Sequence, residues 1–136
     1  MPLWLLQLLN IAFFVFHTAL ILFNVFGWIP RRTRRWNLVC LLLTAASWFV
    51  MGIWKGAGYC ICTDWHWQIR RALSISGDPD NYIQLLVRTL TGWTPGESLV
   101  RFWAGAVFGF SLIASLTVNI LGLRSARRRS VMISEP

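Results

Sequence analysis

Charged residues are scarce in this sequence, and acidic residues are the scarcest. Asp and Glu together number 5 among 136 residues, charged residues make up 13% of the chain, and 56% of it is hydrophobic. The mean hydropathy is +0.55, and a soluble domain of this length needs far less apolar surface to build one core. The composition therefore excludes an ordinary soluble domain and indicates that much of the chain faces something other than water.

The sequence also lacks the marks of a secretory signal peptide. Such a peptide opens with basic residues and reaches a small-residue cleavage site after a short apolar run, whereas this chain stays apolar to Trp28. We therefore expect an uncleaved membrane segment. Helices of about 1.5 Å per residue can cross roughly 30 Å of hydrocarbon, and three apolar runs are long enough, at about 3–28, 36–56 and 99–123. The sequence predicts an all-α integral membrane bundle of three transmembrane helices, with 1–136 forming a single domain.

The placement of basic residues predicts the orientation of this bundle. The net charge is +8, and eight of the 13 basic residues follow the first or the last apolar run: Arg31, Arg32, Arg34, Arg35, Arg124, Arg127, Arg128 and Arg129. The positive-inside rule makes both clusters cytoplasmic. We expect a multi-pass protein of the cell inner (plasma) membrane, with its N-terminus outside and its basic tail, 124–136, inside. Anionic lipid headgroups suit the two clusters, and we expect no nucleic-acid partner.

The segment between the second and third runs, about 57–97, is too long for a structureless loop in so small a protein. It carries four of the five acidic residues, namely Asp64, Asp78, Asp80 and Glu97. The predicted orientation places this segment outside. We expect it to form an outer subdomain of two short outer or interfacial helices seated on the bundle.

The first short helix is expected to begin at Asp64 with Thr63 as its cap, with Trp65 on its buried face and His66 on another face. The second follows the turn 78–81, with an aspartate cap and a proline near its first turn. Its apolar residues recur at helical spacing, at Ile83, Leu86, Val87 and Leu90. This second helix is too short and too charged to span a bilayer, so it would lie on the membrane surface or cap the bundle.

The richest chemistry lies in residues 58–67, GYCICTDWHW. If this stretch is helical, Cys62 lies just before the first turn, where the helix dipole stabilises a thiolate, and Cys60 is its resolving thiol. A disulfide between the two is the alternative in an oxidising exterior. If the stretch is extended, alternation places four side chains on one side, where a local turn would let them bind zinc or copper(I): Cys60, Cys62, Asp64 and His66. These four residues are the redox or metal candidates.

The two histidines do not predict a haem site. His17 lies some 14 residues into the first helix, about 20 Å below its outer end at 1.5 Å per residue. His66 belongs to the outer subdomain, so we expect that one iron cannot reach both imidazoles. No cofactor is predicted for this chain.

Polar side chains recur along one face of each apolar run, as Asn10, His17 and Asn24 do in the first. Polar side chains in membrane helices turn away from lipid. Counting residues from the cytoplasmic end of each run groups the polar side chains of the three runs into two layers. One layer comprises Asn24, Asn37 and Asn119, and the other comprises His17, Ser47 and Ser111. We interpret the layers as interhelical hydrogen bonds that fix packing. The alternative is a proton or small-solute site at His17.

Glycines spaced by four residues occur at Gly52 and Gly56 and again at Gly105 and Gly109. Such pairs let membrane helices approach closely. They predict close packing within the chain, or docking on a membrane-protein partner or a second copy.

The order of these features resembles a known family. The chain shows Phe16-His17, then 24–28, an arginine-rich turn, and the stretch Gly58-Tyr59-Cys60 followed by 63–67. It resembles a family of small bacterial integral membrane proteins classed as a domain of unknown function, over roughly 5–123. The most specific part is Cys60-x-x-Thr63, where related members often have Pro and Leu between the two and this chain has Ile61 and Cys62. The resemblance implies the fold and the membrane setting and transfers no activity.

No set of nucleophile, base and oxyanion donors is visible in the sequence. The sequence therefore predicts a small non-enzymatic membrane protein, acting as an accessory or scaffold subunit. The alternative is an outward-facing thiol-redox or metal-handling protein that uses Cys60, Cys62, Asp64 and His66.

Overall fold

A computed structural model of the chain describes residues 1–56 and 59–134. Within these ranges the secondary structure is helical and includes no strand: α1 Leu3–Phe26, α2 Arg34–Lys55, α3 Ile61–Ala72, α4 Tyr82–Thr91 and α5 Glu97–Ser134. The helix α2 passes through one π-helical stretch, Ser47–Met51. The predicted all-α fold of three long and two short helices is confirmed, and the extended alternative for residues 60–66 is wrong. Gly58 and the side chain of Arg129 lie outside the described part of the chain.

Three helices are long and apolar enough to cross a membrane, namely Leu3–Phe26, Arg34–Lys55 and Glu97–Arg128, with hydropathies of 2.1, 1.8 and 2.0 over their most apolar windows. Each begins within about two residues of its predicted run. The third continues well past residue 123 as α5, because the basic stretch that follows contains no glycine or proline before Ser134.

Asparagine side chains join the three long helices near one end of the bundle. The Nδ2 atom of Asn24 donates to the hydroxyl of Thr44 at 3.0 Å, and Nδ2 of Asn37 donates to the carbonyl of Phe23 at 2.7 Å. Nδ2 of Asn119 donates to the carbonyl of Arg34 at 3.1 Å. Each of the three asparagines predicted to share a layer thus donates to a neighbouring long helix. The last of these bonds brings the arginine-rich turn and the basic end of α5 to the same end of the bundle.

The short helices flank α1 instead of sitting above its end. The helix α3 runs antiparallel to α1, since Cys60 contacts His17 at its start and Ala72 lines a groove with Met1 at its finish. The first residue of α4, Tyr82, contacts α1 as far along as Thr18. The segment therefore packs against the side of α1.

The helix boundaries of this segment also differ from the predicted ones. Cys60, not Thr63, is the N-cap of α3, and its side chain makes no capping hydrogen bond. Asn81, not an aspartate, caps α4, and its side chain accepts from the backbone N–H of Gln84 at 3.0 Å. Trp65 is 50% exposed while His66 is fully buried, and the buried imidazole has a polar partner on α1, Asn10.

An ion pair holds the connection between the two short helices. Nη2 of Arg70, in the last turn of α3, lies 2.7 Å from Oδ1 of Asp78, and both side chains are only 13% exposed. Arg88 of α4 donates from Nη1 to the carbonyl of Gly77 at 2.8 Å. Segment 73–81 is thus fixed to both helices that it connects.

Candidate functional site

Five polar residues from three helices meet beside the middle of α1. We call them the histidine cluster: Asn10, His17 and Thr18 of α1, His66 of α3 and Tyr82 of α4. His17 is 6% exposed, His66 is fully buried and Tyr82 is 3% exposed. Two of the chain's few titratable side chains near neutral pH are therefore enclosed in one place.

The imidazole of His66 is oriented by Asn10. Its Nε2 lies 2.9 Å from the side-chain oxygen of Asn10, and because a carboxamide oxygen only accepts, Nε2 carries the proton. Within the described residues, Nδ1 of His66 is buried without a hydrogen-bond partner. Burial, followed by the Arg70 cation, lowers the pKa of His66 below 6.5, against the opposing effects of Asp78 and Asn10. Burial therefore favours the neutral form of the His66 imidazole.

Tyr82 attaches α4 to α1. Its hydroxyl donates to the carbonyl of Phe14 at 2.7 Å and lies 2.9 Å from the hydroxyl of Thr18. Its ring stacks on the imidazole of His17, with centroids 3.9 Å apart and planes 11° apart. These contacts satisfy a buried phenol and place an aromatic ring over the face of His17.

The other polar neighbour of His17 is a thiol. Nε2 of His17 lies 3.9 Å from Sγ of Cys60, which is half-buried. Burial raises the pKa of the Cys62 thiol, and so does the neighbouring Cys60. The helix dipole therefore does not make Cys62 the acidic thiol that the sequence predicted, since Cys62 lies inside α3 and Cys60 lies at its N-cap.

The four redox or metal candidates do not assemble into one centre. Asp64 accepts from Nε2 of Gln68 at 3.0 Å, His66 pairs with Asn10, and Cys60 contacts His17. Among the side chains that the structure describes, no three His, Cys, Asp or Glu residues converge where they could hold a metal ion. The cysteines of the structure are free thiols, at Cys40, Cys60 and Cys62.

The predicted layer of His17, Ser47 and Ser111 is not one hydrogen-bonded group. The hydroxyl of Ser47 donates to the carbonyl of Tyr59 at 3.4 Å, and that of Ser111 donates to Val107 in its own helix at 2.9 Å. His17 instead faces Cys60 and Tyr82. Each of these side chains is thus engaged with a different part of the chain.

Sequence reasoning missed Tyr82 and the pairing of His66 with Asn10. The depth argument that separated the two histidines is wrong, because α3 and α4 extend along α1. His66 contacts Asn10 of α1, and both imidazoles lie against the ring of Tyr82. One signal was available, since Asn10 and His17 share the polar face of α1 and needed partners from elsewhere.

The comparisons with known proteins agree with the family resemblance. The model of a family described as Protein of Unknown function (DUF2784) matches residues 7–120. No curated protein and no solved structure matches the chain. The matched region includes every member of the histidine cluster together with Cys60 and Cys62. The expected relation to a domain of unknown function is confirmed, and the chain belongs to the DUF2784 family.

Proposed function

We propose that the chain is a multi-pass integral membrane protein of the bacterial inner (plasma) membrane, with its N-terminus outside and its C-terminus in the cytoplasm. Three helices of sufficient length and hydropathy support this proposal. The orientation is supported by the bond between Asn119 and the Arg34 carbonyl, because it groups both basic clusters at one end. Anionic lipid headgroups are the expected partners of that end.

Labelling of two matched serine-to-cysteine variants tests this orientation. Ser76 and Ser125 are both exposed, and each is replaced by cysteine in a chain whose native cysteines are serine. In intact cells, a membrane-impermeant maleimide should label Ser76→Cys at once and Ser125→Cys only after permeabilisation. The opposite pattern would reverse the orientation, and labelling of both in intact cells would contradict a spanning α5.

Within that membrane, we propose that the protein serves as an accessory or scaffold subunit whose α5 docks on a transmembrane helix of a partner. The observation that carries this proposal is the open surface at Gly105 and Gly109. A Cβ built on either glycine meets no atom within 4 Å, so neither glycine is needed for packing inside the chain. Small residues at this spacing let a second helix approach closely. The surface of α5 around the two glycines is therefore available to the partner helix.

Replacing both glycines tests the docking surface. The variant Gly105→Leu with Gly109→Leu should keep the helix content and thermal stability of the parent and lose its higher-mass species in crosslinked membranes. Gly122→Leu is the matched control, because Gly122 is equally open and lies outside the pair. A crosslinked species of twice the chain mass would identify a second copy as the occupant. Unchanged crosslinking in the double variant would contradict docking through this surface.

A further inference from the structure

Two thiols and an imidazole meet at the start of α3. Sγ of Cys60 lies 3.9 Å from Nε2 of His17, and Cys62 follows two residues later, in the first turn of α3. His17 is 94% buried, given its exposed fraction of 6%, whereas Cys60 is half-buried. The Cys60 thiol therefore lies between a buried imidazole and the surface of the protein.

The two thiols are not equivalent. Cys62 lies within the first turn, and burial raises its pKa, as does the neighbouring Cys60. Only Cys60 contacts the imidazole of His17. Cys60 is therefore the thiol that reacts first, and Cys62 is placed to react with whatever Cys60 binds.

We propose that Cys60 and Cys62 form a redox-active dithiol that reduces a disulfide substrate, with Cys60 as the nucleophile, His17 as its proton acceptor and Cys62 as the resolving thiol. This activity goes beyond the scaffold role and does not depend on it. It also differs from the cluster that the sequence suggested, because it uses His17 of α1 in place of Asp64 and His66.

The exchange balances in two steps. Nε2 of His17 takes the Cys60 proton, the Cys60 sulfur attacks one sulfur of the substrate disulfide, and the substrate S–S bond breaks as a mixed disulfide forms. The leaving thiolate takes the proton from His17. The Cys62 sulfur then attacks the Cys60 sulfur and the mixed disulfide breaks, and the departing substrate sulfur takes up the Cys62 proton and leaves as the second thiol. Two electrons pass from the dithiol to the substrate, and the chain retains a Cys60–Cys62 disulfide.

The stoichiometry of a reaction with 4,4′-dithiodipyridine tests this proposal on the full chain in detergent micelles, in a Cys40→Ser background. The reduced protein should release two thiopyridones per chain, retain no pyridyl adduct and lose the mass of two hydrogens. Cys62→Ser should release one thiopyridone and keep the adduct on Cys60. Pyridyl adducts retained on both cysteines of the parent would overturn the proposal.

The rates separate the two thiols and test the base. Cys60→Ser should leave Cys62 reacting at least about tenfold more slowly than the parent, and His17→Gln should slow the first step by a similar factor. Circular dichroism establishes that each variant keeps its helices. If His17→Gln unfolds, the thiopyridone stoichiometries of the parent and of Cys62→Ser decide the proposal by themselves. A Cys60→Ser variant that reacts as fast as the parent, or a folded His17→Gln variant with an unchanged rate, would contradict the assigned roles.

Discussion

The phenol ring of Tyr82 lies flat on the imidazole of His17, with their centroids 3.9 Å apart. The two residues come from different helices, Tyr82 from the first turn of α4 and His17 from the middle of α1. Together with the hydrogen bonds of the Tyr82 hydroxyl, the stack fixes how far segment 59–91 extends along α1. It therefore also sets the position of Cys60 beside His17.

Removing the Tyr82 hydroxyl should weaken this attachment without opening a cavity. Tyr82→Phe loses the bond to the Phe14 carbonyl and the contact with Thr18, and should lower the free energy of unfolding by about 0.5–1.5 kcal/mol. Thermal unfolding followed by circular dichroism in micelles measures the change. Thr117→Val is the matched control, since that hydroxyl is exposed and bonds only within α5. Equal effects of the two substitutions would contradict a structural role for the Tyr82 hydroxyl.

Removing one member of the buried Asn10–His66 pair should cost more stability than removing both members. Asn10→Leu leaves the buried Nε2–H of His66 without an acceptor, which should cost about 1–3 kcal/mol of stability. Combining it with His66→Phe removes the stranded donor and keeps an aromatic ring beside Phe13, so the double variant should recover much of the loss. A double variant with the sum of the two single losses would show that the pair is not formed.

The stability of the fold should fall in mild acid through His66. Its pKa is lowered in the folded state, chiefly by burial, so the unfolded chain takes up a proton at the ordinary pKa of about 6.5 before the folded chain does. Stability is then fully present above that pH and decreases below it, by no more than about 1.4 kcal/mol per pH unit for one proton.

Unfolding midpoints measured from pH 8 to pH 5 test this dependence. The comparison is with His66→Gln, which keeps an amide donor toward Asn10 and does not titrate. His17, Arg70 and Asp78 are present in both proteins, so they affect both curves. Parallel pH curves for the parent and the variant would show that His66 is not the source of the pH dependence.

Glycine is required at position 27 because there is no room for a larger side chain, and not because the backbone conformation demands it. Its φ of −65° suits any residue, but an added Cβ would lie 2.5 Å from the Phe23 carbonyl and 2.8 Å from Nδ2 of Asn37. Gly27→Ala should therefore disturb the bond between those two groups and cost about 1–3 kcal/mol. Gly122→Ala, where an added Cβ meets nothing, should cost nothing. Equal unfolding midpoints for the two variants would contradict the close contact.

The three long helices could be predicted because hydropathy and length are local properties of the sequence. The burial of His66 could not, because it depends on Asn10, which lies more than fifty residues earlier in the chain and supplies the acceptor. The same holds for Tyr82, which amphipathic spacing placed outside the apolar face of α4 although its hydroxyl bonds to α1. Cys60 became a candidate nucleophile only when α3 was found to begin beside His17.

The central claim is that Cys60 lies beside His17 in the middle of α1. Dibromobimane fluoresces once it has joined two thiols, so it reports this proximity in a chain with Cys40 and Cys62 replaced by serine. His17→Cys should form a fluorescent crosslink with Cys60. Asn24→Cys, on the same face of α1 but about 10 Å further along the helix, should not. A crosslink from position 24 and none from position 17 would contradict the account.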